Sequence, residues 1–198
     1  GYVWKSTDHG ATWTALTGAG TGGWGCVTCS SDGAKVFVGQ DGYNAKVSTD
    51  SGSTWNDASS GLMTGAQILA AKYSPDGSKL IISLYQDSLR ISTNNGGSWS
   101  TAYSSNTTFW AIDCNTNGSI IYAAANNNGA SDYIYVSTNS GSTWSPLSAG
   151  TGQWYSVSCD STGATVVSGN YGGYIYVSTD GGATWVAHDS TRNWLKCS

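Results

Sequence analysis

The side chains that could do chemistry in this chain are few and of restricted type. All twelve acidic residues are aspartates; glutamate is absent, arginine occurs only as Arg90 and Arg192, and histidine only as His9 and His188. Two carboxyl groups held about 5–9 Å apart could share the roles of glycoside hydrolysis. Asp32, Asp41, Asp57, Asp76, Asp87, Asp113, Asp132, Asp160 and Asp189 are the candidates outside the repeated stretch described below. Asp32, Asp76 and Asp160 sit in turn sequences, where structural hydrogen bonding suffices. Asp113 falls mid-strand and is expected to be partly buried and hydrogen-bonded. Ser/His/Asp catalysis needs a histidine beside a nucleophile, and both histidines fall in or near turns. Five cysteines are an odd number, so at least one is unpaired within the chain. Cys29, Cys114, Cys159 and Cys197 share one column of the repeat. Equivalent strands of neighbouring units stand farther apart than the ~7 Å Cα limit of a disulfide, so these four read as small buried apolar residues. Both histidines lie away from that column, so no metal site and no cofactor is expected.

The elements that would position these groups come from a stretch written five times. It reads Ser-Thr-(Asp/Asn)-x-Gly-x-(Thr/Ser)-Trp, beginning at Ser6, Ser48, Ser92, Ser137 and Ser178, with starts 42, 44, 45 and 41 residues apart. A period in the forties carrying short β-type segments is the mark of a propeller blade. Asp8, Asp50, Asn94, Asn139 and Asp180 form the acidic column, suited to accepting backbone N–H groups within a turn. Gly10, Gly52, Gly96, Gly141 and Gly182 form the glycine column, where a positive φ is expected. Trp13, Trp55, Trp99, Trp144 and Trp185 close each copy as apolar anchors to be buried between blades, each contributing about 1.5–3 kcal/mol or more. Asparagine in two copies keeps an acceptor oxygen without a charge, which favours hydrogen bonding over calcium ligation.

This octet resembles the Asp-box, or BNR, repeat of sialidase-like β-propellers, and the resemblance spans nearly the whole chain. It implies a hairpin between the third and fourth strands of each blade, on the face opposite the ligand site. It also implies what sialidase catalysis would need: three arginines on the substrate carboxylate, a Tyr/Glu nucleophile pair and an acidic residue. With two arginines and no glutamate, that set cannot be assembled, and the Arg-Ile-Pro motif is missing. Xyloglucan-cleaving propellers, photosystem-assembly propellers and sortilin-type receptors carry related boxes. The first are far larger, the second use an arginine-rich patch, and the third have ten blades.

The 198 residues make one ordinary domain, long enough to bury roughly 70% of the unfolded surface. Charged residues make up 10% and net charge is −4, so there is no basic footprint for nucleic acid. No apolar run reaches membrane-span length. A polar surface of low charge, rich in Ser, Thr and Asn, suits an exported protein, extracellular or at the cell surface. Asn106-Thr107-Thr108 and Asn117-Gly118-Ser119 are glycosylation sequons. The chain starts at Gly1 inside a strand-like segment and reads as a processed or excised piece.

The expected fold is all-β, a five-bladed β-propeller over residues 1–198. Four blades span approximately 24–57, 67–102, 109–146 and 153–187. A fifth is composite, from 1–16 plus 192–198. Its second strand is missing, about ten residues of the repeat. The ring closes with a three-stranded blade, or another chain donates the strand by β-augmentation, or the chain is cut from a longer repeat protein.

Loops entering each inner strand, and those joining second to third strands, are expected to share one rim. Trp24, Trp110, Trp154 and Trp194 come from the first set; Asp41, Tyr43, Gln86, Asn127 and Tyr171 come from the second. Such planar aromatics, amides and carboxylates could stack on sugars and bind their hydroxyls, although aromatics at strand starts commonly pack between blades. The expected function is a non-catalytic extracellular module for interaction or assembly, such as a surface or fibre component. Its partners would be copies of itself or another chain, by strand addition at the composite blade. The alternatives are a lectin-like module using the aromatic rim, and a fragment of a glycoside hydrolase.

Overall fold

The computed structural model describes residues 1–198 except 41–43, 63–66, 105, 128–131 and 197–198. The described chain forms five antiparallel sheets and no α-helix. Strands β1 (Val3–Lys5) and β2 (Thr14–Leu16) pair with one another and are followed by a 3₁₀ turn at Thr17–Ala19. The next sheet holds β3 (Trp24–Cys29), β4 (Val36–Gln40), β5 (Ala45–Ser48) and β6 (Asn56–Asp57), and the third β7 (Ile68–Tyr73), β8 (Leu80–Leu84), β9 (Ser88–Ser92) and β10 (Ser100–Ser104). The fourth holds β11 (Phe109–Cys114), β12 (Ile121–Ala125), β13 (Ile134–Ser137) and β14 (Ser145–Pro146). The last holds β15 (Trp154–Cys159), β16 (Val166–Ser178) and β17 (Val186–Asn193). β16 serves as both second and third strand. Gly181 N–H donates to Ala164 O at 2.8 Å, so its two ends lie together and the run must double back, as φ = +72° at Gly172 allows.

Sequential hairpins pack radially because second strands such as β8 and β12 are buried on both faces. Every residue of β8 and β12 is buried, and Leu80, Ile81, Ile82 and Leu84 are fully so. Each such side chain contributes about 1.5–3 kcal/mol. The inner strands β3, β7, β11 and β15 follow one another around an axis and touch in that order. Their hairpin turns are linked as well. Ser31 N–H donates to Pro75 O, Asp76 N–H to Thr116 O and Thr116 N–H to Ser161 O, each at 3.0 Å.

All five boxes form one hairpin geometry. Ser6, Ser48, Ser92, Ser137 and Ser178 each accept the box glycine's N–H at 2.8 Å through Oγ. The same hydroxyls donate to the acidic column at 2.7–3.0 Å. The glycines sit at φ between +77° and +91°. In the packing of the tryptophans the structure departs from expectation. Trp55, Trp99, Trp144 and Trp185 are half-buried, whereas Trp13 is 59% exposed. The reason lies in what covers a box. Leu16 closes over Gly52, Ala58 over Gly96, Ile91 and Ala102 over Gly141, and Leu147 over Gly182, whereas Gly10 meets only its own Trp13.

Strands β1 and β2 form a two-stranded sheet of their own, and the C-terminal tail runs beside β16. Trp194 packs its Cβ against Gly169, as Ile68 of the following blade packs against Gly39. That is the first inner-strand position expected for the composite blade. Arg192 and Asn193, expected in the same inner strand, instead lengthen β17, pairing with Gly173 and Tyr171. Trp194–Lys196 carry no ladder of their own. Among the described residues β1 pairs only with β2.

Candidate functional site

Every inner strand carries a β-bulge at the same place. Register shifts fall between Trp24 and Cys26, Ile68 and Ala70, Phe109 and Ala111, and Trp154 and Ser156. The extra residue in each is Gly25, Leu69, Trp110 or Tyr155. A bulge breaks strict alternation and re-aims side chains, so three consecutive residues of each inner strand reach the axis. Together with Tyr2, Val3 and Trp4 of the β1 segment, Trp24, Val38 and Lys196, they line an open axial cavity of about 680 Å³. That volume lies in the range of ligand pockets.

The walls are apolar and aromatic. Trp110 and Tyr155 are 5.3 Å apart between ring centroids, and Tyr155 and Tyr171 5.8 Å. Trp110 Nε1 donates to Asn126 O at 3.1 Å. Lys196 supplies the one charged side chain among the described lining residues. Toward the end of the inner strands, Asp113 joins three blades. It accepts Lys72 Nζ at 2.7 Å, Ser158 Oγ at 3.1 Å and Cys159 N–H at 2.8 Å. A carboxylate so engaged is a structural tie, as its mid-strand place suggested.

The expected rim residues are only partly brought together. Trp24 and Trp110 line the cavity. Trp154 does not: it is fully buried between blades, with Nε1 donating to Asp132 O at 3.1 Å. The bulge gives the axial position to the next residue, Tyr155. Trp194 is half-buried on Gly169, with the Arg192 guanidinium 5.8 Å above its ring. Gln86 and Asn127 are exposed and outside the lining. Tyr171, 43% exposed, joins through Tyr155, and Asp41 and Tyr43 lie outside the described residues. Tyr155, Leu69, Tyr2, Trp4 and Lys196 were not singled out from sequence. Tyr155 was findable, since it shares a repeat column with Trp110.

The cysteine column also needs correcting. Cys29 is exposed, Cys114 is buried and Cys159 is half-buried, because among the described residues no paired inner strand stands in front of β3. Burial pushes the Cys26 and Cys114 thiols up, to about 11 and about 12. At the boxes the effect is opposite. Bonds from the Thr12, Thr54 and Thr184 hydroxyls and N–H groups, then from the box serines, hold Asp8, Asp50 and Asp180 down at about 2. Among the described residues no group of three or more His, Cys or Asp is placed to hold a metal ion, and no helix is long and apolar enough to cross a membrane.

Residues 176–187 match the family model described as BNR/Asp-box repeat. No curated protein sequence matches. Among solved structures, an ancestral GH74 enzyme superposes with a TM-score of 0.67 at 22% identity, covering 93% of this chain and 25% of that one. The GH74 enzyme of Niastella koreensis gives 0.62 at 24% identity, covering 81% and 23%. YCF48 bound to D1 peptide gives 0.61 at 18% identity, covering 86% and 54%. The chain thus spans about a quarter of those two GH74 enzymes and about half of YCF48, and at these identities the likeness is one of fold. Five boxes of one geometry, five antiparallel sheets about an axis and these superpositions agree: the chain is a β-propeller built on Asp-box repeats.

Proposed function

We propose that this propeller is a non-catalytic, extracellular interaction module that takes up a strand from another polypeptide at the open edge of β1. The observation that carries this reading is the axial cavity, bounded on one side by Tyr2–Trp4 and on the other by the inner strands. Among the described residues β1 pairs only with β2, so its other edge carries unpaired main-chain groups toward this cavity. Main-chain pairing to an unpaired edge supplies affinity, and pockets for alternate side chains supply selectivity. The described lining holds no carboxylate, and Asp113 is tied to Lys72, Ser158 and Cys159; both support a binding role over hydrolysis. Random peptides displayed against the folded protein should yield extended, apolar binders that are lost in Trp4→Asp. Recovery of none, or only of binders indifferent to that change, sinks the reading.

A second reading rests on Trp24, Trp110 and Tyr155 in one cavity: a lectin-like module that stacks sugars on these rings. It expects hits on a glycan array that disappear in Trp110→Ala. An array without hits removes it. If the chain were instead part of a glycoside hydrolase, purified protein would release reducing ends from xyloglucan, and we expect none.

A further inference from the structure

The two aromatic bulge residues meet across one blade boundary, and a third ring extends them toward the rim. Trp110 on β11 and Tyr155 on β15 stand 5.3 Å apart between centroids, with their planes 52° apart. Tyr155 and Tyr171, the latter where β16 doubles back, stand 5.8 Å apart at 62°. Each ring is held in place. Trp110 Nε1 donates to Asn126 O at 3.1 Å, and Asn126 N–H donates to Thr108 O at 3.0 Å. Tyr171 N–H donates to Gln153 O at 3.0 Å, just before β15 begins. Tyr155 is wedged between the other two rings. All of these contacts lie within residues 108–171 and draw on neither end of the chain.

What the rings leave open selects a ligand. Trp110 and Tyr155 are half-buried and Tyr171 is 43% exposed. Among the described residues neither tyrosine hydroxyl bonds to another group, and no ion pair or cation–ring contact reaches the three rings. An apolar peptide side chain gains most in an enclosed slot. An open ring face edged by phenol hydroxyls instead suits a ligand with a flat C–H face and a hydrated rim of hydroxyls, which describes a sugar ring. The tilts then decide how much of a sugar chain is held. In a contacting pair tilted this far, the edge of one ring stands against the face of the next, so the three make no flat platform for consecutive units. A single unit finds a free face.

We infer that the boundary between the third and fourth complete blades binds one neutral pyranose, at the end or on a branch of a glycan. It stacks on the Trp110–Tyr155–Tyr171 wall and takes hydrogen bonds from the two tyrosine hydroxyls. This deepens the lectin-like reading above and rests on it, and it narrows the site, since Trp24 on the first complete blade takes no part. The rings fix one another before any ligand arrives, so little side-chain freedom is lost on binding.

Methyl glycosides and linear tetrasaccharides of β-glucose, β-galactose and α-mannose, with methyl glucuronide as a charged probe, titrated into the intact chain test the inference by saturation-transfer NMR and tryptophan fluorescence. We expect at least one neutral sugar to bind, its glycoside and its tetrasaccharide agreeing within about threefold. Tyr171→Ala, at an exposed position, should keep the melting temperature and weaken binding about fivefold. A tetrasaccharide that binds about tenfold tighter than its glycoside overturns the single-unit site and leaves the lectin-like reading standing. Binding confined to methyl glucuronide overturns the neutrality of the ligand. Undiminished binding to a folded Tyr171→Ala overturns the placement. No binding by any of these probes, while a glycan array gives Trp110-dependent hits only on chain interiors, overturns the inference alone. No binding together with an array without hits overturns the reading beneath it.

Discussion

At the box, aspartate and asparagine do the same work with one bond reversed. Asp50 accepts Thr54 N–H at 2.8 Å and the Thr54 hydroxyl at 2.6 Å. Asn139 accepts Thr143 N–H at 2.8 Å, and its Nδ2 donates to the Thr143 hydroxyl at 2.8 Å. The hydroxyl turns from donor to acceptor, and the hairpin is unchanged. Charge matters only in acid. Asp8, Asp50 and Asp180 titrate at about 2 in the folded state against an ordinary 3.8. Their contribution is therefore complete above pH 4 and is lost as pH falls toward 2. The triple variant Asp8→Asn, Asp50→Asn, Asp180→Asn should keep its melting temperature at pH 7 and show a flatter decline between pH 4 and 2. The tryptophans will separate by cover rather than by type. Trp13→Ala should change stability by less than about 0.5 kcal/mol. Trp55→Ala, which removes a ring packed on Gly18, should cost about 2 kcal/mol, as read by urea denaturation.

Among the elements, the glycine column was legible because a hairpin of this type needs left-handed backbone at a fixed place. Gly141 stands at φ +85° with the Ile91 side chain closed over it, so Gly141→Ala should cost about 1–3 kcal/mol through strain and displacement, a loss that urea denaturation will read. Inner-strand starts at Trp24, Phe109 and Trp154 were legible too, from apolar runs set at even spacing. The bulges were not. They arise when two residues of one strand oppose one of its partner, an event that Gly25, Leu69, Trp110 and Tyr155 do not announce by type. That is why Trp154 stood out from sequence and Tyr155 did not, although the axis sees only the second. The cavity wall at Tyr2–Trp4 escaped for another reason. A third strand ordinarily faces its own second strand, so its residue types do not mark Tyr2–Trp4 as a cavity wall.

For the molecule as a whole, the contacts among the described residues run from each blade to its neighbour. Tyr122 donates its hydroxyl to Gly163 O at 2.7 Å in a buried contact between the third and fourth complete blades. Tyr122→Phe should cost about 1–3 kcal/mol, since it strands a buried carbonyl; chemical denaturation will show whether it does. Exposure of the first complete blade also predicts thiol behaviour. In a Cys197→Ser background at pH 8, exposed Cys29 should react with a disulfide reagent in the native state. Cys26 and Cys114, with thiols pushed up by burial, should wait for unfolding, and equal rates for all would contradict the packing of β3 and β11. The turn-to-turn bonds from Ser31 through Pro75 and Thr116 to Ser161 have a mechanical counterpart. Stretched between its ends in an optical trap, such a wheel should come apart sector by sector. Each rupture would release one period of 41 to 45 residues, or roughly 15 nm of slack at about 3.5 Å per residue.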